Sequence, residues 1–250
     1  MNPIQGHQDI PKREKPEAAA SPTQPHVRPD REPTDLAGVE SPSPWRPRRI
    51  CLPILVVAFA ILAFQAHSHP HFGWDLSLAQ WIQSNDTQAL TLLMAAITWL
   101  GEGISTWTLV IAATLGLWLV KDRAAAIVCA VGVPAGSGVS TLLKSLVDRP
   151  RPAAGLLETM THYQHQSFPS GHVFFFVDFF GFMLFIACSL LKPGLLRGVI
   201  MAILVCLIIL VGVSRIYLGA HWPSDVAGGY LGGGVWLILV TEAYDRLKRS

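Results

Sequence analysis

From Ile50 onward the chain alternates long apolar runs with short polar breaks, a rhythm that predicts helices crossing a lipid bilayer. Six runs approach the length a helix needs for that: Ile50–Ala66, Gly103–Val120, Ala124–Leu143, His172–Leu191, Gly198–Val213 and Asp225–Val240. A shorter block, ALTLLMAAITWL over Ala89–Leu100, is too short to cross alone and reads as an interfacial or re-entrant helix. The predicted fold class is an all-α integral membrane bundle of six transmembrane helices.

Residues 1–49 break the pattern. They are rich in Pro, Glu, Arg and Ser and nearly lack large apolar side chains. Such a segment buries too little surface to offset its ordering entropy, so it reads as a disordered, Pro-rich cytoplasmic tail before a membrane domain at 50–250. The first run lies far from the N-terminus and lacks a clear cleavage pattern, so it is taken as a retained span. Of 250 residues, 51% are hydrophobic and 14% charged, against about a quarter charged in soluble domains. A net charge of +2 gives no argument for a nucleic-acid partner. Cys51, Cys129, Cys188 and Cys206 fall in or beside apolar runs without zinc or disulfide spacing, and read as buried thiols.

Charge placement sets the orientation. Basic clusters occur at Arg46–Arg49, at Lys121 and Arg123, at Lys192 and Arg197, and at Arg246–Arg249. Six crossings put all four on one side, the cytoplasm, with both termini. The same count puts 144–171 and 214–224 on the extracytoplasmic face. Lys144, Arg149, Arg151 and Arg215 stand there against the rule, and cations kept in such a place suggest an anion to bind.

Three blocks converge on that face. In KSLVDRPRP, Lys144 and Arg151 supply a point charge and a planar fork for phosphate oxygens. In SFPSGH, Ser170 is a natural N-cap, and Gly171 lets an anion approach the N–H groups that open the next helix. In SRIYLGAHWPSD, Arg215 adds a third cation, while His221 and Asp225 stand four residues apart. One helical turn lets Asp225 accept from Nδ1–H of His221 and leaves Nε2 free to attack phosphorus. His172, on another span, is placed to protonate the leaving oxygen and later to activate water. Fixed cations and N–H donors neutralise the phosphoryl group in this scheme, which therefore calls for no metal and no cofactor.

These blocks resemble the signature of the type-2 phosphatidic acid phosphatase superfamily, shared with glucose-6-phosphatases and vanadium haloperoxidases. Every fixed position matches: Lys144, Arg151 and Pro152; Pro169, Ser170, Gly171 and His172; Ser214, Arg215, His221 and Asp225. The resemblance covers about 88–245. It implies that His221 is the nucleophile, His172 the acid and Asp225 the orienting group, while Lys144, Arg151, Ser170, Gly171 and Arg215 hold phosphate. It also implies a lipid phosphatase acting on phosphatidate, phosphatidylglycerophosphate or an undecaprenyl pyrophosphate, with membrane lipids around it. A phosphotransferase using the same site and a silent lipid-phosphate binder or transporter remain open; a soluble vanadium-dependent peroxidase fits six spans poorly.

Other polar residues have plainer readings. Asp178, inside a span, reads as a polar contact between helices. Arg149 reads as a loop charge near the substrate, Glu102 as a helix start, and His162 and His165 as solvated loop residues. His67, His69 and His71 read as an interfacial loop rather than a metal site. The four-residue spacing of Gly228 and Gly232, and of Gly229 and Gly233, fits packing within the monomer as well as dimerisation.

Overall fold

The computed structural model describes residues 48–153, 155–160 and 166–249. Within them the chain forms eight helices and no strand: α1 (Arg48–Ser68), α2 (Gly73–Gln83), α3 (Gln88–Trp99), α4 (Gly103–Leu119), α5 (Arg123–Val147), α6 (Gly171–Leu190), α7 (Leu195–Tyr217) and α8 (Pro223–Arg249). Of the tail expected over 1–49, Arg48 and Arg49 belong to α1, and residues 1–47, together with His162 and His165, lie outside the described residues.

Five helices (α1, α5, α6, α7 and α8) are long and apolar enough to cross a membrane. A sixth crossing exists only if α3 and α4, bent by 57° at a short break, count as one interrupted span. The run expected to cross alone at Gly103–Val120 is thus the longer arm of that pair, and the Ala89–Leu100 block is its other arm. The break falls at Gly101-Glu102-Gly103, where Gly103 takes a positive φ of 49°. At Gly101 an added Cβ would lie 2.8 Å from the His172 ring, so the kink gives that ring its room. Helix α2 was not expected at all.

Helix α6 is the centre of the bundle. It is apolar all round, and Phe174, Phe176, Phe180, Phe182 and Phe185 are all buried, as a helix wrapped on every side requires. Its neighbours are α5, α7 and α8. By contrast α1 exposes Ile54, Val57, Ile61 and Phe64, a surface suited to lipid. The glycine spacing in α8 is used inside the monomer. Added Cβ atoms at Gly229 and Gly233 would fall 2.8 and 2.9 Å from Val173 and Val177 of α6, so the two backbones meet closely.

Apolar runs that face lipid also correct the cysteine expectation. Only Cys129 is buried in protein; Cys51 and Cys206 are exposed and Cys188 is intermediate, all with free thiols.

At one end of the bundle Arg48 pairs with Asp245 at 2.6 Å, and Lys248 reaches Asp122 at 2.9 Å. The basic ends of α1, α5 and α8 therefore share one face. The C-termini of α5 and α7 and the N-termini of α6 and α8 come together at the other.

Candidate active site

The loop after α5 begins at Asp148, whose φ of 49° turns the chain back over the bundle. Ser167 N–H then donates to the Arg149 carbonyl at 2.8 Å, and Ser170 N–H to the Asp225 carbonyl at 3.0 Å. These two bonds dock the start of α6 against the start of α8. After α7 the chain reverses at Gly219, φ 66°, where an added Cβ would strike the Glu158 carbonyl. The N–H groups of Ala220 and His221 fold back to the Arg215 carbonyl at 3.1 and 3.2 Å. All three sequence blocks are thereby brought together.

His221 and Asp225 are buried, at 1% and 0% exposure, so every polar atom between them needs a partner. The direct contact expected from their spacing is 3.6 Å from Nδ1 to Oδ2, too long for a hydrogen bond. The Ser167 hydroxyl bridges it. Ser167 Oγ donates to Asp225 Oδ2 and lies 3.3 Å from His221 Nδ1. On the other ring edge, Arg151 Nη1 is 3.3 Å from His221 Nε2. A guanidinium can only donate, so this contact requires a lone pair on Nε2 and the proton on Nδ1, from which Ser167 accepts. Burial, then the charges of Lys144, Arg151, Arg215 and His172, hold the His221 imidazole well below its ordinary pKa of 6.5. It is neutral and carries an outward lone pair.

The other motif residues surround that edge. Lys144 Nζ donates to the carbonyls of Gln166 and Ser167 at 3.0 and 3.4 Å. A Cβ on Gly171 would sit 3.5 Å from Lys144 Cε, so the ammonium stem and the first turn of α6 flank the same space. Ser170 is the N-cap residue of α6, but its side chain makes no capping bond, contrary to expectation. Its buried hydroxyl has no hydrogen-bond partner among the described residues. The first bond of the helix runs from Phe174 N–H to the Ser170 carbonyl, which leaves earlier N–H groups without an intrahelical acceptor. Arg215 is fully buried, with Nη1 3.3 Å from Thr98 Oγ1. His172 Nε2 lies 3.6 Å from Glu102 Oε1, and Arg215 Nη1 lies 3.9 Å from the same oxygen.

Several plainer readings change. Glu102 begins α4 without a side-chain cap bond and turns its carboxylate toward His172 and Arg215 instead. Arg149 lies in a loop as expected, but it is 1% exposed and held on every side. Its Nη1 donates to Asp225 Oδ1 at 2.6 Å and Ser224 Oγ at 2.7 Å, Nη2 to Asp75 Oδ2 at 3.0 Å, and Nε to the His69 carbonyl at 3.2 Å. Asp178 makes no interhelical hydrogen bond among the described residues. Its carboxylate packs against Gly136, where an added Cβ would also meet Trp236, whose indole N–H donates to the Gly132 carbonyl. His67, in the last turn of α1, and His69 and His71 in the loop after it each turn Nδ1 to a different backbone carbonyl.

Sequence reasoning missed Asp75, Ser167 and Ser224. Ser167 stood inside the quoted SFPSGH block. For Asp75 the one available signal was that RPRP holds two arginines where the motif uses one, so the other needed an acid.

The chain is similar to known proteins in sequence and in fold. The profile of the PAP2 superfamily matches residues 123–249. Phosphatidylglycerophosphatase B of Bacillus subtilis (strain 168) is 25% identical over 78% of this chain and 95% of its own length. YbjG of Escherichia coli (strain K12), provisionally named an undecaprenyl-diphosphatase, is 27% identical over 70% of this chain and 88% of its own. In fold, a crystal structure of a transmembrane PAP2-type phosphatidylglycerolphosphate phosphatase from Bacillus subtilis superposes with a TM-score of 0.69. It covers 79% of this chain and 98% of that one at 24% identity.

Proposed function

Because this chain belongs to the PAP2 superfamily and is a multi-pass membrane protein, we propose that it hydrolyses a lipid phosphomonoester or diphosphate through a phosphohistidine on His221. The observation that carries the reading is the placement of the His221 ring, with Nε2 3.3 Å from Arg151 Nη1, which can only donate, and Nδ1 3.3 Å from Ser167 Oγ.

A phosphate taking the place beside Arg151 meets Lys144, Arg215, the Ser170 hydroxyl and the N–H groups that open α6. These donors are preorganised in a site largely closed to water, where they stabilise the charge of the transferring group best. Nε2 of His221 bonds to phosphorus as the bond to the leaving oxygen breaks. Asp225 stabilises, through Ser167, the positive charge formed on the ring. His172 gives its proton to the leaving oxygen. It then takes a proton from the water that cleaves the phosphorus–nitrogen bond, returning His221 and releasing phosphate. The side chains of His172 and Glu102 are 14% and 39% exposed against 2% for His221, so substrate approaches past them.

The relatives' names point to phosphatidylglycerophosphate and undecaprenyl diphosphate as the substrate class, with phosphatidate as the third candidate. The basic face bearing Arg48, Asp122 and Lys248 is assigned to the cytoplasm and the site to the opposite side. Purified protein in detergent with EDTA should release phosphate from at least one of these lipids. It should act far more slowly on a short-chain soluble analogue. Release from none would overturn the reading in favour of a binder, and appearance of the phosphoryl group only on an added acceptor would make it a transferase.

A further inference from the structure

The motif residues do not account for one fully enclosed structure in the molecule. Asp75 of α2, Arg149 of the loop after α5, and Ser224 with Asp225 at the start of α8 form a closed polar cluster, each at 0–1% exposure. Asp75 Oδ1 accepts Ser224 N–H at 2.8 Å, and Oδ2 accepts the Ser224 hydroxyl at 2.7 Å and Phe72 N–H at 2.9 Å. Arg149 spans the two carboxylates and lies over the Phe72 ring at 5.0 Å from its centroid. Asp225 is left with Oδ1 on Arg149, and with Oδ2 on Ser167 and Trp222 N–H.

We infer that Asp75 and Arg149 are positioning residues for the reaction, acting on the His221 nucleophile through Asp225. The inference rests on the functional reading above. A carboxylate in a dry site holds its charge and rotamer only if its oxygens are fully engaged. Arg149 supplies the countercharge. Asp75 fixes the Arg149 fork from its far side and pins the Ser224 backbone one residue before Asp225. The pull on Oδ1 sets where Oδ2 lies, hence where Ser167 sits, and hence the angle of the His221 ring. Asp75 lies outside the 123–249 segment that carries the family profile, so α2 brings part of the site's alignment from beyond it.

The test uses the full chain, with phosphatidylglycerophosphate and undecaprenyl diphosphate in detergent as probes, and steady-state kinetics on five variants. Arg149→Met should lower kcat by about 100-fold with KM within about threefold, as expected when an interaction acts only on the transition state. Arg149→Lys, keeping charge but not the fork, should recover part of that loss. Asp75→Asn, nearly isosteric, should lower kcat by about tenfold in the wild-type background and by less than about twofold when Asp225 is already Asn. That non-additivity is the signature of action through Asp225. Equal effects of Asp75→Asn in both backgrounds, or a loss seen only in KM or in folded yield, would overturn the inference alone. Wild-type protein that releases phosphate from neither probe would remove the functional reading and the inference with it.

Discussion

Two ion pairs of the same length, 2.6 Å, sit near opposite ends of α8: Arg149–Asp225 at its start and Arg48–Asp245 near its finish. Their surroundings differ. The first has both side chains at 0% exposure, while the second has them at 10% and 31%. At the second end the Arg48 guanidinium packs over the Phe185 ring, Asp245 stays about a third exposed, and Lys248 reaches Asp122 while itself half exposed. At the first end nothing but protein is available, so Ser167, Ser224, Trp222 N–H and Asp75 must complete the bonding. A buried pair repays its desolvation only with such help, and losing one partner costs about 3–5 kcal/mol, against about 0–1 kcal/mol for an exposed pair. Distance alone therefore says little about importance; burial and the completeness of the network separate the reacting end from the anchoring end.

The contrast is broken most severely at the nucleophile. His221→Ala should cut phosphate release by at least about 10⁴-fold, leaving only what the anion pocket achieves unaided. A rate near wild type in the same assay would remove the distinction between the two ends. Next comes Asp225→Asn, which keeps the shape but not the charge. It should slow turnover by about 10²–10⁴-fold while the protein still elutes as a folded species on size exclusion.

Acidity gives a smaller and more graded test. Protonated His221 cannot attack, and burial with the charges of Lys144, Arg151, Arg215 and His172 holds its pKa well below 6.5. Protonation, and the loss it causes, is therefore displaced to lower pH. The acid limb of kcat/KM, corrected for the substrate phosphate's own ionisation near ~6, should lie below the ordinary imidazole range. A limb at or above 6.5 would mean that the ring is not enclosed as described. The smallest effect belongs to the other end. Asp245→Asn should change unfolding stability by less than about 1 kcal/mol and leave kcat unchanged. A rate loss there would show that the part-exposed pair is coupled to the site.

What the sequence made legible follows the same division. Residues read by fixed spacing along one segment (Lys144 and Arg151, Ser170 to His172, Arg215 to Asp225) all reach one end of the bundle. Asp75 was not legible, because it meets Arg149 across 74 residues and lies in a short helix with no motif. Glu102 was read as a helix start, which it is, but its approach to His172 was not legible because the bend between α3 and α4 brings it there. The spans were legible as apolar runs, but their lipid-facing and protein-facing sides were not. This is why Cys206 was expected to be buried and is exposed.

The central claim is that phosphorus passes through one particular ring nitrogen. Rapid acid-free quenching of purified protein turning over a radiolabelled lipid phosphate, followed by peptide mapping, tests it directly. The label should be alkali-stable and acid-labile, confined to the peptide containing His221, and absent from His221→Ala. Label on any other residue, or steady turnover with no labelled protein at any quench time, would contradict the account.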